Sequence, residues 1–375
     1  MDKILLGSAI AFMITFAAIP IIIQIANTKK LFDHPDERKI HILPIPSLGG
    51  LGIFAGFVLA SLFTISFSQA PDFQYFFAAA LVIFFLGLKD DIMVLSPMKK
   101  FVGQMVAAFL IVYKGGLVIS SMHGFFGVHE LPESFSLVFT YFTIIVIINS
   151  FNLIDGIDGL AGSLGLMTSL VFGIYFYVIG EVDYATLAFC LGGSLIAFLI
   201  FNYSPAKIFM GDTGSLLIGM VNAILVIRFI NVADSPASTV PIAASPAIGF
   251  AILMVPLFDT LRVFSLRILS RRSPFSPDRN HIHHLLMDHK LSHAAITYLC
   301  VGVNIVFIGI AYACRNMNCT YLIILLVGLI SAFTGVLFYT RKRNEEPEHI
   351  SLDDATLTSK ILQLKKKTYI HPEQN

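Results

Sequence analysis

Charge is scarce in this 375-residue sequence, in which 13% of the residues are Asp, Glu, Lys or Arg and 56% are hydrophobic. The sequence also lacks internal repeats, low-complexity tracts and the alternating pattern of membrane β-barrel strands. Its four cysteines show no spacing typical of a zinc or redox motif. Cys190 and Cys300 lie inside apolar segments, whereas Cys314 and Cys319 flank a short loop and could pair. The composition therefore argues against a soluble multidomain protein.

Long apolar runs are what the sequence has in abundance, and a helix needs about 20 apolar residues to cross a bilayer. Only helices and closed barrels satisfy the backbone in lipid, so these runs predict an all-α, polytopic membrane protein. Eleven predicted spans cover residues 4–25, 48–68, 74–89, 100–120, 135–152, 160–180, 184–202, 214–231, 243–269, 294–313 and 320–340. We predict a transmembrane catalytic domain over residues 1–340 and a cytoplasmic tail over residues 341–375.

The basic residues predict the orientation of these spans. Most of the 25 lysines and arginines fall in loops on one side, and such an excess marks the cytoplasmic side. The N-terminus is therefore expected outside and the C-terminus inside. The first run lacks a clear cleavage site and is followed by Lys29 and Lys30, so we interpret it as a retained span rather than a signal peptide.

Acidic residues recur where apolar runs meet the loops on the predicted cytoplasmic side. Asp90 and Asp91 end the third run, Asp155 and Asp158 follow the fifth, and Asp212 precedes the eighth. Carboxylates are costly near hydrocarbon, which makes function the default hypothesis for them. Their recurrence on one side predicts a single metal-binding, anion-handling site built by several helices.

The first two acidic motifs each have a structural alternative. Neighbouring Asp90 and Asp91 suit a divalent cation or a general base, but they can also form a solvated helix end. Lys100 follows in the same loop, where it can neutralise phosphate or anchor the membrane edge. The second motif places polar residues at every third position, which would form one stripe if the helix continued through them. Its structural alternative is a set of polar contacts between neighbouring helices. Its members are Asn149, Asn152, Asp155 and Asp158.

The third motif, PAKIFMGDTGS, places Asp212 between glycines just before a span. Backbone amides at a helix start suit anions, and Asp212 suits Mg²⁺. The alternative is that Asp212 or Thr213 simply caps the helix. Lys207 in the same motif can screen phosphate charge.

The fourth motif, SPDRNHIHHLL, contains Arg279, His281, His283 and His284. The histidines can bind zinc. Alternatively, they can donate hydrogen bonds to a sugar or diphosphate, and Arg279 can bind phosphate. We favour the second interpretation because acidic sites for a hard metal already exist. Asp259, inside an apolar run, is interpreted as structural unless a bend at Pro256 brings it to the site.

A fifth, weaker segment runs from residue 33 to residue 50 and ends in a Pro/Gly turn. Together, and in this order, the five segments resemble those of the polyprenyl-phosphate N-acetylhexosamine-1-phosphate transferases. That family includes the enzymes that start O-antigen, enterobacterial common antigen and teichoic acid linkage synthesis, and the phospho-MurNAc-pentapeptide translocase. The most specific stretches are LKDD, NSFNLIDGIDGLAG, PAKIFMGDTGS and SPDRNHIHHLL. The last of these resembles the branch that uses UDP-GlcNAc.

The resemblance implies ten or eleven helices in a bacterial inner membrane protein, a site facing the cytoplasm and often a dimer. It also implies a role for each matching position. These roles are catalysis at Asp90, Asp91 and Asp155, Mg²⁺ binding (Mn²⁺ as an alternative) at Asn152 and Asp212, phosphate contacts at Lys100 and Arg279, a position near uracil at Asp158, and sugar-side contacts at His281, His283 and His284.

These observations together predict transfer of a sugar-1-phosphate, with GlcNAc-1-phosphate favoured, from a UDP-sugar to undecaprenyl phosphate, with release of UMP. The reaction would be the first membrane step of a cell-envelope polysaccharide such as O-antigen. The expected partners are the UDP-N-acetylhexosamine, undecaprenyl phosphate, membrane lipids and a possible second copy, with no nucleic acid. Two alternatives are a transporter coupled to protons or cations, and a zinc-dependent membrane hydrolase.

Overall fold

The computed structural model describes residues 1–29, 45–234, 239–271 and 281–344, with side chains as far as residue 341. The described chain consists almost entirely of helices. The α-helices are α1 (Asp2–Lys29), α2 (Gly49–Thr64), α3 (Phe73–Ile92), α4 (Pro97–Phe109), α5 (Glu133–Ile154), α6 (Leu160–Val178), α7 (Val182–Asn202), α8 (Gly211–Ala233), α9 (Ser245–Ile252), α10 (Met254–Leu269), α11 (Ile282–Asp288), α12 (His293–Ala313) and α13 (Cys319–Asn344). A π-helical turn, Leu110–Lys114, extends α4, and β1 (Ser121–Phe125) and β2 (Val128–Glu130) form an antiparallel hairpin.

Each predicted apolar run coincides with a helix or with a consecutive pair of helices. In the described ranges, seven helices are long and apolar enough to cross a bilayer, and α9 with α10 makes an eighth if the bent pair is one span. This confirms an all-α, polytopic membrane protein, whereas the count of eleven spans stays a prediction. Contacts divide the chain into two compact units, residues 1–332 and 333–375, and the predicted tail from residue 345 lies outside the described residues.

Helix α8 is the central helix of the first unit. Its apolar residues are buried on all sides, as expected for a helix that is hydrophobic around its whole circumference. Helices α2, α3, α5 and α6 all pack against it. The start of α8, which carries Asp212, is therefore surrounded by the ends of other helices.

Glycines allow the backbones to approach closely around this start. A Cβ on Gly87 of α3 would lie 2.5 Å from the Cα of Thr213 in α8, and a Cβ on Gly50 of α2 would collide with the backbone of Gly214. Small residues at helix interfaces in membranes permit this proximity. The close packing brings the end of α3, with Asp90 and Asp91, against the beginning of α8.

A sharp break separates α9 from α10, which are bent by 88° with respect to each other. Asn304 of α12 satisfies the backbone groups that the break exposes. Its Oδ1 accepts a hydrogen bond from Val255 N at 2.9 Å, and its Nδ2 donates to the carbonyl oxygens of Ala251 and Ile252 at 3.2 and 3.0 Å. Backbone groups at membrane depth need such partners, so one buried amide stabilises the bend.

We expect Asn304→Leu to lower the free energy of unfolding by about 3 kcal/mol, because three buried backbone groups would lose their partner. The measurement is thermal unfolding of the purified protein in detergent. Cys300→Ala is the matched control, since Cys300 is also buried on α12 but lies outside this hydrogen-bond set. Equal melting temperatures for the two variants would contradict the assignment.

All four cysteines are free thiols. Cys314 and Cys319, for which the sequence left pairing open, are not bonded to each other in the structure.

Candidate active site

Lys100 joins two of the three acidic motifs. Its Nζ donates to Asp212 Oδ2 at 2.5 Å and forms an ion pair with the carboxylate of Asp90. Asp90 also accepts a hydrogen bond from Leu95 N at 2.5 Å through its other oxygen. The structure thus brings Asp90, Lys100 and Asp212 to one point, although 112 residues separate Lys100 from Asp212.

Asp91, the neighbour of Asp90, has a different set of contacts. It accepts hydrogen bonds from the backbone amide of Asp212 at 2.6 Å and from the amide and hydroxyl of Thr213 at 3.1 and 2.5 Å. A carboxylate is favourable at a helix N-terminus because it satisfies free amides and the positive end of the helix dipole. Asp91 of α3 therefore caps α8 from a neighbouring helix.

This contact corrects two expectations about the third motif. The amides of Asp212 and Thr213 were expected either to bind a substrate anion or to be capped locally. They are instead bound by Asp91, while Met210, at the N-cap position of α8, makes no side-chain cap. Gly211 adopts φ +71°, which favours glycine, and its Cα faces Asp91 so closely that a Cβ would lie 2.7 Å from Oδ1.

Asn152, near the end of α5, adds a polar contact to the site. Its Nδ2 donates to Asp212 Oδ1 at 2.9 Å and to Ser215 Oγ at 3.0 Å. Asn149, one turn earlier, instead forms a reciprocal amide pair with Gln104 of α4 at 2.9 and 3.3 Å. Asn152 thus belongs to the site, whereas Asn149 belongs to a contact between α4 and α5.

The expectation of one helical stripe through Asp155 and Asp158 is wrong in its geometry. Helix α5 ends at Ile154, Asp155 occupies the C-cap position, and Gly159, with φ +77°, precedes α6. The two carboxylates therefore lie in the turn between α5 and α6 rather than on a helical face.

Asp155 lies in this turn near the other carboxylates. Burial, followed by the negative charges of Asp212, Asp91 and Asp158, raises its pKa to about 8. Its carboxyl group is therefore largely protonated at neutral pH in the metal-free protein. A cation bound nearby would favour its ionised form.

Asp158 is buried, with 3% of its surface exposed, and it connects several loops. Its Oδ2 accepts from Ala206 N at 3.2 Å, Oδ1 lies 3.4 Å from His293 Nδ1, and its carbonyl accepts from the hydroxyl of Thr297 at 3.0 Å. These contacts support the turn against the loop before α8 and against α12. The predicted position near uracil stays a prediction.

The histidine motif is anchored by Asp259, which is 2% exposed. Asp259 accepts hydrogen bonds from Ile282 N and Arg262 at 2.9 and 2.8 Å, and its Oδ2 lies 2.9 Å from His281 Nδ1. The sequence predicts a structural role for Asp259 unless a bend at Pro256 brings it to the site; the chain instead breaks before Met254, and Asp259 contacts His281. The sequence signal for Asp259 was a single carboxylate inside an apolar run.

His283 lies in the interior, between the histidine motif and the turn that carries Asp155. Its ring packs directly on Gly156, where a Cβ would overlap the imidazole, and it stacks on His281 with centroids 5.8 Å apart. Burial, followed by the charge of His284, lowers the pKa of His283 to about 3. The imidazole is therefore neutral. His284 is only partly buried and contacts the ring of His283 at a centroid distance of 4.3 Å.

No contact in the described network uses the side chain of Lys207, one of the predicted substrate contacts. Lys207 is exposed in the loop before α8, where its backbone amide donates to Phe201 O at 2.8 Å. Arg279 lies outside the described residues. Their roles stay predictions.

Asp212 and Asn152 carry oxygen atoms of the kind that bind magnesium, and magnesium binding there stays a prediction. In the structure the Lys100 ammonium and the Asn152 Nδ2 donate to the two carboxylate oxygens of Asp212, and Lys100 also pairs with Asp90. No three His, Cys, Asp or Glu side chains in the described ranges converge as a complete metal cage. Mg²⁺ at phosphate sites needs only one or two carboxylates because it retains water and binds substrate phosphates. This donor set favours magnesium over zinc.

Comparisons with known proteins point to one family. A model of glycosyl transferase family 4 matches residues 73–230. A probable undecaprenyl-phosphate N-acetylglucosaminyl 1-phosphate transferase of Bacillus subtilis is 31% identical, covering 90% of this chain and 95% of its own. The decaprenyl-phosphate N-acetylglucosaminephosphotransferase of Mycobacterium leprae is also 31% identical, covering 78% and 80%. An undecaprenyl-phosphate alpha-N-acetylglucosaminyl 1-phosphate transferase of Yersinia pestis is 32% identical, covering 74% of each chain.

The extent of these matches establishes the family, because they reach well beyond single motifs and include relatives covered over nearly their whole length. The chain belongs to the polyprenyl-phosphate N-acetylhexosamine-1-phosphate transferases and is a membrane-bound glycosyl-1-phosphate transferase.

Proposed function

We propose that this protein transfers GlcNAc-1-phosphate from UDP-GlcNAc to undecaprenyl phosphate and releases UMP, on the cytoplasmic side of a bacterial inner membrane. The product would start a cell-envelope polysaccharide. The observation that carries the proposal is the convergence of Asp90, Lys100, Asn152 and Asp212 at the start of α8, with Asp155 in the adjacent turn. The names of the relatives, which specify N-acetylglucosamine phosphate transfer, support GlcNAc as the sugar, and the SPDRNHIHHLL motif supports UDP-GlcNAc as the donor.

The chemistry requires two polyanions to meet. An oxygen of the lipid phosphate attacks the β-phosphorus of the UDP-sugar, and the bond from that phosphorus to UMP breaks. Lys100 lies at the junction of two carboxylates, where its ammonium can also contact a phosphate oxygen. Asp212 and Asn152 would hold Mg²⁺, which when bound would supply positive charge to offset the negative charge of the phosphates and of the leaving UMP.

Proton transfer is expected to contribute little to the rate. The second pKa of a phosphate is about 6, so the acceptor is already largely ionised at neutral pH. Asp90 can take the remaining proton, and Asp155 is the alternative base only when its carboxyl group is ionised. Positioning and charge stabilisation therefore dominate the proposed catalysis.

The proposal is tested with purified protein in detergent, undecaprenyl phosphate, Mg²⁺ and a panel of UDP-GlcNAc, UDP-GalNAc and UDP-MurNAc-pentapeptide. We expect UMP release and a lipid-linked GlcNAc diphosphate only with the first donor, and loss of both when the metal is chelated. Mn²⁺ is expected to restore part of the activity. Release of UMP with another donor would change the sugar assignment, and no release with any donor would contradict the reaction.

The raised pKa of Asp155 predicts a pH-dependent effect on stability. Ionisation of the Asp155 carboxyl group lowers the free energy of unfolding once the pH exceeds the unfolded-state pKa of about 4. This loss grows until the pH passes the folded-state pKa of about 8. Asp155→Asn removes this cost. In metal-free protein the variant should therefore melt at a higher temperature than wild type, by a margin that widens between pH 5 and pH 8 and then levels.

Melting curves across this pH range, with and without Mg²⁺, test the Asp155 prediction. Bound metal should shrink the margin because it favours the ionised carboxylate of the wild type. Asp72→Asn, at an exposed loop position before α3, controls for the loss of one carboxylate. A margin that stays constant with pH would show that Asp155 is not destabilised by ionisation.

A further inference from the structure

Asp259 lies in α10, beyond the break that Asn304 stabilises. It contacts His281 and Ile282 of the SPDRNHIHHLL motif. The three partners of Asp259 come from two elements. Arg262 belongs to α10 itself, whereas the His281 ring and the Ile282 amide belong to the entry of α11. A buried carboxylate with three hydrogen bonds holds its partners in one geometry, since losing any of them in a low dielectric is costly.

A continuous series of contacts leads from Asp259 to the turn between α5 and α6. The carboxylate binds the His281 ring, the His281 ring stacks on His283 with an interplanar angle of 8°, and the His283 ring rests on Gly156. Gly156 directly follows Asp155. The position of the turn is thereby coupled to the entry of α11 through packed rings.

We propose that Asp259 is a positioning residue for the sugar-phosphate transfer. It acts through His281 and His283 to hold the turn at Gly156, and it thereby fixes the position of Asp155 relative to Asp212. The carboxylate also selects the tautomer of His281, because an acceptor at Nδ1 requires the proton there and leaves Nε2 as the second polar atom of the ring. This inference rests on the proposed function, since it assigns a role within the same site.

Asp259→Asn is the informative variant because it keeps the size of the side chain. Its amide oxygen can still accept from Ile282 N and Arg262, but its NH₂ group would face His281 Nδ1 and favour the other tautomer. We expect kcat with UDP-GlcNAc to fall about 10²-fold, because misplacement of about 1 Å costs that much. The KM for undecaprenyl phosphate and the melting temperature should stay close to those of wild type.

A double-mutant cycle with His281→Gln separates positioning from a general loss of structure. If Asp259 acts through His281, Asp259→Asn should add little to the defect of His281→Gln, so the two effects on kcat will not be additive. Asp259→Glu, which retains the carboxylate, should recover part of the activity. Ser265→Ala is the control on the same helix, since that exposed hydroxyl donates to Leu261 O within α10.

Additive effects of the two substitutions, or a fall in melting temperature that accounts for the lost activity, would overturn the role of Asp259. A wild-type level of activity in Asp259→Asn would overturn it as well. If the wild-type protein itself releases no UMP, the proposed function fails. The tautomer of His281, followed by nitrogen NMR, still compares the variants, and an Nδ1–H tautomer in both Asp259→Asn and wild type would then overturn the positioning role.

Discussion

Asp212→Asn should reduce kcat by about 10³-fold while the protein remains folded. Asp212 lies at the centre of the site, where Lys100 binds one of its oxygens and Asn152 binds the other. An asparagine keeps the volume but removes the negative charge that would hold Mg²⁺ against the diphosphate, and loss of a major electrostatic contribution costs 10²–10³-fold or more.

The measurement for Asp212→Asn is UMP release over a range of Mg²⁺ concentrations. Raising the metal concentration should recover little activity, because the ligand itself is lost. Asp234→Asn is the matched control, since Asp234 immediately follows the opposite end of α8 and forms an exposed contact with His123. Substantial turnover by Asp212→Asn at saturating Mg²⁺ would remove Asp212 from the proposed metal site.

Asp91→Asn is expected to lower both stability and activity, and thereby to differ from Asp90→Asn. Asp91 accepts three hydrogen bonds at the start of α8, and an asparagine cannot accept all of them with its single carbonyl oxygen. We expect a loss of about 2 kcal/mol in the free energy of unfolding, in line with a lost helix cap. Displacement of Asp212 should also reduce kcat about 10²-fold.

Asp90→Asn provides the comparison within the same acidic pair. Its carbonyl oxygen can still accept from Leu95 N, so we expect nearly wild-type stability. Activity should nevertheless fall, because the ion pair with Lys100 loses its charge. Thermal unfolding and UMP release are measured on both variants in the same detergent. If Asp90→Asn is the less stable of the two, the assignment of Asp91 as the cap of α8 is wrong.

Part of the site could be predicted from the sequence because its signals are local. A carboxylate beside a long apolar run is conspicuous, so Asp90, Asp91, Asp155 and Asp212 were identified without knowledge of the fold. Hydropathy likewise located the long apolar helices, but it predicted one continuous span where α9 and α10 are separate and gave no signal for α11. The sequence did not reveal which contacts each carboxylate makes.

Tertiary packing decides which contacts each residue within a motif makes. Asp90 and Asp91 are adjacent and chemically identical, yet one faces Lys100 and the other faces the backbone of α8, 121 residues away. The regular spacing of Asn149, Asn152, Asp155 and Asp158 would form a stripe only on a continuous helix, whereas α5 ends at Ile154 and the two carboxylates lie in the turn that follows.

The amino-acid sequence by itself determined the class of protein, the positions of the apolar helices and the family, since hydropathy and motif order are properties of the linear chain. The tertiary structure alone decided that Asp91 caps α8, that Asp259 anchors His281, and that His283 packs on Gly156. The physical reason is that these contacts join helices distant in sequence. They form only where glycines let backbones approach and where buried polar groups must find a partner.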